Sequence, residues 1–316
     1  MVDINSRIGN LSPEKRKLLE MILQQQRGES NQKIEAGDGS PQMDITLIEP
    51  VKKEDLDNKQ EIKKFYNSVN EQLNSSPFGD HSFFLNYGYA PNDSPRFSQI
   101  ELPEIFMNKN PTQLVLEVIA DCRLEDNSCV LDVGCGRGGT INVFKQFFVF
   151  KHLYGMDLSS QAIAFCRKTH ACEQVDFLEG NAEKLPFQKN RFNIVTNIES
   201  SHGYSDVVSF WKEIFRVLKP GGHFLYTDLF PTQTIVDTIK RMEAIGLKLL
   251  RQTDITGNVL LSCDEISNTH AKAYSRENDL EFMGNFLAQP NSPVYNEMKS
   301  GKSKYMIFKL QKTQES

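Results

Sequence analysis

The sequence predicts an α/β fold in which a mostly parallel sheet carries helices on both faces, and three observations predict it. Strand-like and helix-like runs alternate from about residue 111 to 256, the order that parallel strands joined by helical crossovers require. The apolar run Val130-Leu131-Asp132-Val133 opens into the glycine-rich loop Gly134-Cys135-Gly136-Arg137-Gly138-Gly139 and then a helix. A second apolar run, Leu153-Tyr154-Gly155-Met156, ends in an acid, Asp157.

Each element follows from its local pattern. Strands are predicted at 129–133, 152–156, 174–178, 192–197, 222–228 and 247–255. A helix over Ser205–Leu218 spaces Val208, Trp211, Phe215 and Leu218 for burial, and Pro220 with Gly221-Gly222 ends it. A last strand is expected over Lys304–Lys309. The chain between the last two strands, 257–303, is far longer than a hairpin loop of roughly two to five residues, so a helical insertion capping the site is expected. Its Met283, Phe286 and Leu287 either line a pocket or pack the insertion onto the core.

Ahead of this core, residues 61–110 read as a helical lid. An amphipathic helix runs from Glu61 to Leu73, with Phe65, Val69 and Leu73 at helical spacing. The aromatic run Phe83-Phe84-Leu85-Asn86-Tyr87-Gly88-Tyr89 reads either as an ordered loop covering a site or as packing beneath the sheet. Residues 1–60 form a polar leader expected to be flexible, since Gly28–Gln60 has little apolar periodicity. Within it, Leu11–Leu23 predicts a short helix: Ser12 caps, Pro13 takes the first helical position, and Leu11, Leu18, Leu19 and Ile22 share a face. A surface helix and a docking or linker helix both fit.

Composition narrows the function classes. The chain of 316 residues carries a net charge of −5 and no basic block, which argues against a nucleic-acid partner. No apolar run approaches the roughly 20 residues that span a bilayer, and the N-terminus lacks a signal peptide's apolar core. The expectation is a cytoplasmic enzyme with no membrane partner. The six cysteines have neither metal-finger nor disulfide-scaffold spacing. Cys166, His170 and Cys172 nominally suit a metal but lack a fourth ligand, so no metal site is expected.

The glycine loop carries the chemistry. Glycines let the backbone approach a ligand with no Cβ in the way, and the following helix offers unpaired N–H groups to an anion. Gly134, Gly136 and Gly139 also satisfy the weak dinucleotide pattern G-x-G-x-x-G, and Asp157 suits a ribose diol in either cofactor class. Asp132 before the first glycine, Glu179–Phe187, Phe192–Val195 and Leu218–Gly222 discriminate. Together and in order, these resemble the Rossmann-like class I methyltransferases that use S-adenosylmethionine.

The resemblance covers roughly residues 110–250 and implies a seven-stranded sheet whose last strand is antiparallel. It implies that Asp132 with Gly134, Gly136 and Gly138 holds the methionine end of the cofactor. Asp157, with the adjoining Leu158, would hold the ribose, and Asn181 with Ala182 would border the adenine. Many family members carry Asp where Asn181 stands, and an amide still accepts and donates hydrogen bonds. Tyr87, in a stretch similar to one that covers the methionine end, and Asn197, ending the fourth strand, complete the expected cofactor set.

Catalysis is expected at the segment leaving the fourth strand, Thr196-Asn197-Ile198-Glu199-Ser200-Ser201-His202-Gly203-Tyr204, because ligands of open α/β sheets bind beyond the strands' carboxyl ends. An alcohol or enol acceptor must lose a proton, and histidine, with an ordinary pKa of about 6.5, suits a general base. Glu199 could orient the imidazole, or Asp228 at the end of the fifth strand could. A lone histidine is more often structural. This segment, however, resembles a subgroup of O-methyltransferases acting on polyketide and long-chain lipid hydroxyls, in which the matching histidine is the base. The resemblance implies O-methylation of a polyketide-like or lipid-like hydroxyl, free or bound to an acyl carrier protein, with a polyketide or peptide synthase as a conceivable partner. The alternatives are C- or N-methylation of an isoprenoid, sterol or amine, and an inactive binding module.

Overall fold

A computed structural model describes residues 59–313 of the chain except 76–78, 93–94, 104–105, 107, 121, 123 and 271–287. Inside its sheet, β1 (Cys129–Val133) pairs in parallel with β2 (His152–Asp157) and β4 (Phe192–Ile198). β3 (Val175–Glu179) extends the sheet beyond β2, and β5 (Leu218–Pro231) beyond β4. β7 (Ser303–Lys312) lies antiparallel between β5 and β6 (Leu247–Asp254), so the order is β3-β2-β1-β4-β5-β7-β6. The seven strands and the reversed last one are as expected. The chain builds outward from β1 to β3, then returns to place β4 on the other side of β1. This reversal opens a crevice at the strands' carboxyl ends.

Burial on both faces follows from strand alternation. Val130, Ile194, Leu225 and Ile307 join one apolar layer with α2 (Lys109–Ile119), α3 (Gly139–Phe147) and α4 (Ser160–Thr169). Leu131, Val195, Phe224 and Phe308 join the other with α5 (Val207–Val217) and α6 (Ile235–Ala244). Among the described residues, no helix is long and apolar enough to cross a membrane.

Several boundaries differ from expectation for local reasons. Asp206 caps α5 by accepting from Val208 N and Ser209 N, so the helix begins after Ser205. The buried stripe is Phe210, Trp211, Ile214 and Val217, with Val208 and Phe215 on its flanks. β5 starts at Leu218, four residues early: Phe192 pairs with Leu218 and Ile194 with His223, and the intervening Pro-Gly-Gly is absorbed as a register shift. The helix predicted from Glu61 is α1 (Lys59–Ser75), which buries Ile62, Val69 and Asn70 while Phe65 turns to the cavity.

The segment between β6 and β7 is helical where described: α7 (Thr256–His270) and α8 (Pro293–Lys299). Ser262 of α7 donates to Tyr87 O at 2.8 Å, and Asn258 donates to Ala90 O at 3.0 Å. The insertion thus holds the aromatic run of the lid. Met283, Phe286 and Leu287 lie outside the described residues, as do residues 1–58 with the Leu11–Leu23 segment; Lys59 and Gln60, read as the end of the leader, belong to α1.

Candidate active site

A cavity of about 500 Å³ opens at the carboxyl ends of the strands. Its walls are the glycine loop, the ends of β2 and β4, the Asn181–Glu183 turn, and α1 with the aromatic run above. The glycine loop is held down at β2, where Gly134 N and Cys135 N donate to Met156 O at 2.8 and 3.0 Å. Gly134 has φ +71° and Gly136 φ +50°, a left-handed backbone that glycine adopts without strain. A Cβ at Gly134 would also collide with Ser200 Oγ, whereas one at Gly136 would meet nothing nearer than Leu85 Cδ1 at 3.9 Å. The loop is therefore packed from behind at Gly134 and open to the cavity at Gly136.

The expected cofactor residues divide into two sets. Tyr87, Gly134, Gly136, Asp157, Leu158, Asn181 and Ala182 line the cavity. Asp157 accepts from Gly136 N and Ser159 N, both at 2.8 Å, and burial raises its pKa against those bonds. Asp132, Gly138 and Asn197 do not line the cavity themselves and stand behind its wall. Gly138 caps α3. Asn197 donates to Val133 O at 2.8 Å and Tyr204 Oη at 2.9 Å. Asp132 Oδ1 accepts from Thr196 Oγ1 at 2.7 Å, and burial pushes its pKa up to about 7. Asp132 Oδ2 and Asn197 Oδ1 are buried with no hydrogen-bond partner among the described residues. Unmatched acceptors beneath the glycine loop, a carboxylate at the end of β2 and an open Gly136 fit S-adenosylmethionine, with its ammonium and ribose diol.

α1 crosses this cleft from end to end. Its Lys59 pairs with Glu183, and its Lys63 with Glu179. Asn67 Oδ1 accepts from Ser159 Oγ at 2.7 Å. At the other end Arg137, fully buried within the glycine loop, donates to Asn70 and Asn74 Oδ1 at 3.2 and 2.8 Å. It also donates to the Gly79 and Ser82 carbonyls at 2.7 and 2.6 Å, and its guanidinium lies 3.6 Å from the Phe165 ring centroid. Burial lowers its pKa to about 10, so it remains charged at neutral pH. Local pattern gives Arg137 no role, because its partners lie more than 50 residues away in the sequence.

The segment after β4 forms the other wall. His202 lines the cavity, and its Nδ1 lies 2.9 Å from Asp228 Oδ1. A carboxylate only accepts, so Nδ1 carries a proton, and in the neutral imidazole the lone pair is then on Nε2. Asp228 is buried on β5 and also receives His202 N at 3.0 Å, Leu229 N at 2.8 Å and Ser201 Oγ at 2.6 Å. Burial raises its pKa, but His202 and these donors outweigh burial and hold it below the usual carboxylate range. Ser201 in turn meets Tyr226 Oη at 2.6 Å. Since Ser201 donates to Asp228, Tyr226 donates to Ser201. Ser201 lies in the segment expected to carry the chemistry; Tyr226, on β5, was not expected there.

Of the two carboxylates considered for orienting His202, Asp228 holds its Nδ1, and Glu199 bonds elsewhere. Its Oε2 accepts from Tyr87 N at 2.9 Å and Tyr305 Oη at 2.8 Å, so it faces the lid and β7. Burial, only partly offset by these donors, pushes its pKa up to about 8. The two carboxyl groups of the site are thus set apart, Asp228 ionised and Glu199 neutral at pH 7. The nominal metal trio is used otherwise. His170 Nε2 meets Arg137 O at 2.9 Å, Cys166 donates to Gly136 O at 3.3 Å, and Cys172 is exposed. Burial lowers the pKa of His170 to about 4.

Known proteins are similar to this chain in sequence or architecture. A family model for a methyltransferase domain matches residues 131–226. The fatty-acid O-methyltransferase of Mycolicibacterium smegmatis is 36% identical over 181 residues, covering 57% of this chain and 65% of that protein. The phthiotriol/phenolphthiotriol dimycocerosates methyltransferase of Mycobacterium leprae is 30% identical over 212 residues, covering 65% of this chain and 77% of that protein. The Mycobacterium tuberculosis counterpart is 35% identical over 162 residues, covering 49% of this chain and 60% of that protein. The chain thus spans less than two-thirds of the first and third of these relatives. Among solved structures, the cyclase SpnF superposes with a TM-score of 0.64 at 22% identity, covering 82% of this chain and 97% of that chain. StiE O-MT gives 0.57 at 19%, covering 75% and 89%. Geranyl diphosphate C-methyltransferase from Streptomyces coelicolor A3(2), a complex containing S-adenosyl-L-homocysteine, gives 0.59 at 16%, covering 81% and 98%. At such identities the likeness carries the architecture and not the reaction, since it serves a cyclase and methyltransferases alike.

Proposed function

The chain belongs to the class I S-adenosylmethionine-dependent methyltransferases, and from that premise we propose that it methylates a hydroxyl oxygen of a lipid-like or polyketide-like acceptor, with His202 as general base. The observation that carries this reading is the Asp228–His202 pair at 2.9 Å in the cavity wall. When bound, the cofactor supplies an electrophilic methyl group on its sulfonium. The protein's share is to hold the acceptor and remove its proton. Asp228 fixes the tautomer that leaves the Nε2 lone pair for the acceptor hydroxyl, and its charge stabilises the imidazolium that forms. Ile62, Phe65, Phe84 and Val294 on the cavity wall suit an apolar acceptor body. The relatives named for fatty-acid and phthiotriol methylation support the same acceptor class.

His202→Ala tests the base. Removing a general base typically costs about 10²–10⁴-fold in rate, while cofactor affinity by calorimetry should be unchanged because the residue acts on the acceptor. Free and carrier-bound hydroxyacyl acceptors, with the methyl located by mass spectrometry, identify the acceptor form. Full activity of His202→Ala, or a methyl on carbon or nitrogen, refutes the reading.

A further inference from the structure

Glu199 accepts its hydrogen bonds from Tyr87 and Tyr305, while His202 Nδ1 is held by Asp228. The backbone of Glu199 has φ +54°, a left-handed conformation that costs a non-glycine residue strain, and such strain clusters at functional sites. Its two oxygens differ. Oε2 is doubly bonded, to Tyr87 N and Tyr305 Oη. Oε1 has no hydrogen-bond partner among the described residues, and Glu199 lines the same cavity as His202, three positions along the chain. With Oε2 committed to accepting two bonds, the proton of the neutral acid resides on Oε1, where it is a donor.

We infer that Glu199 Oε1 forms a subsite for a second oxygen of the acceptor, so that the preferred acceptor is a hydroxycarbonyl compound rather than a simple long-chain alcohol. The inference rests on the O-methylation reading above and specifies its substrate. A donor in a cavity wall that is mostly apolar discriminates strongly, because an acceptor lacking the matching oxygen leaves the donor unpaired. The neutral acid suits a carbonyl, which only accepts; the ionised form would repel it.

This makes the selectivity depend on pH. The groups facing Glu199 are Tyr66 of α1, Tyr87 of the aromatic run, Cys263 of α7, Tyr305 of β7, and His202 with Asp228. Burial raises the phenols well above their usual range and the Cys263 thiol to about 12, and Asp228 stays ionised. Glu199 itself, at about 8, changes charge within the working range. Any titration of His202 affects both acceptors alike and cancels in the ratio of their rates.

The test uses the full chain and two acceptors of equal length: a 3-hydroxyacyl N-acetylcysteamine thioester, and the alcohol in which a methylene replaces its carbonyl. At pH 7 the wild type should favour the thioester in kcat/KM by about tenfold or more, with the preference shrinking toward unity by pH 9. E199Q presents an uncharged donor and should keep the preference across this range; E199L should lose it at every pH. No preference in the wild type, or one unchanged by E199L, overturns the inference. If E199L fails to fold, a preference in the wild type that does not change between pH 7 and 9 overturns it equally. O-methylation of both acceptors at equal rates removes the subsite alone, whereas absence of O-methylation on either removes the O-methylation reading and the subsite with it.

Discussion

Glu199 also governs how stability should vary with pH. In the folded protein its pKa is raised from the ordinary 4.5 to about 8. Below 4.5 the acid is neutral in both folded and unfolded chains and contributes no difference. As pH rises, the unfolded chain ionises first, so folding must take up a proton and stability falls until the folded acid ionises as well. At about 1.4 kcal/mol per tenfold change, this loss amounts to about 3 kcal/mol at pH 7 and approaches about 5 kcal/mol above pH 8. Glu199→Gln removes the ionisation and keeps an oxygen to accept from Tyr87 N and Tyr305 Oη. The variant should match the wild type near pH 4 and exceed it by about 3 kcal/mol at pH 7, or roughly 6–12 °C in Tm for a domain of this size. Denaturant titrations of the cofactor-free protein at several pH values measure the difference directly. A gap that does not widen between pH 4.5 and 8, or a variant less stable at pH 8, would refute the placement of a buried neutral acid.

Two further substitutions probe the remaining contacts. Asp157→Ala removes the carboxylate that binds Gly136 N and Ser159 N and that suits the ribose diol; with charge-assisted bonds of about 1.5–3 kcal/mol each, cofactor affinity by calorimetry should fall tenfold or more, and unchanged affinity would move the ribose site elsewhere. Ser201→Ala strips one donor from Asp228 and leaves Tyr226 Oη unmatched, so kcat should fall about tenfold at unchanged cofactor affinity. The acid limb of the rate profile should move to higher pH, because a carboxylate with fewer donors holds the imidazolium more strongly; an unshifted limb would make Ser201 merely structural.

The parts legible in the sequence were those with local causes. Period-2 and helical spacing placed the strands and most helices, and residue order placed Asp157, Asn181, Ala182 and His202 at the cavity. Asp132 and Asn197 show what chain order leaves out: position along a strand fixes which face a side chain takes, but not that both end behind the cavity wall with one oxygen unmatched among the described residues. The choice between Glu199 and Asp228 was not decidable from the chain order. It is set by how β5 and β7 bring Asp228 to His202 and Tyr305 to Glu199, contacts that span 26 and 106 positions. The register shift in β5 was likewise hidden, because Pro-Gly-Gly ends a helix and bulges a strand with the same conformational means.

Arg137 gives the lid and the cofactor loop a common fate. Its planar fork spans acceptors on Asn70, Asn74, Gly79 and Ser82, a spread that the single ammonium of a lysine does not reproduce. Lifting α1 from the cleft therefore strands a buried charge on the loop beneath, and loosening the loop releases the helix above. Fluctuations of the two segments should be a single cooperative opening and not independent breathing of roof and floor.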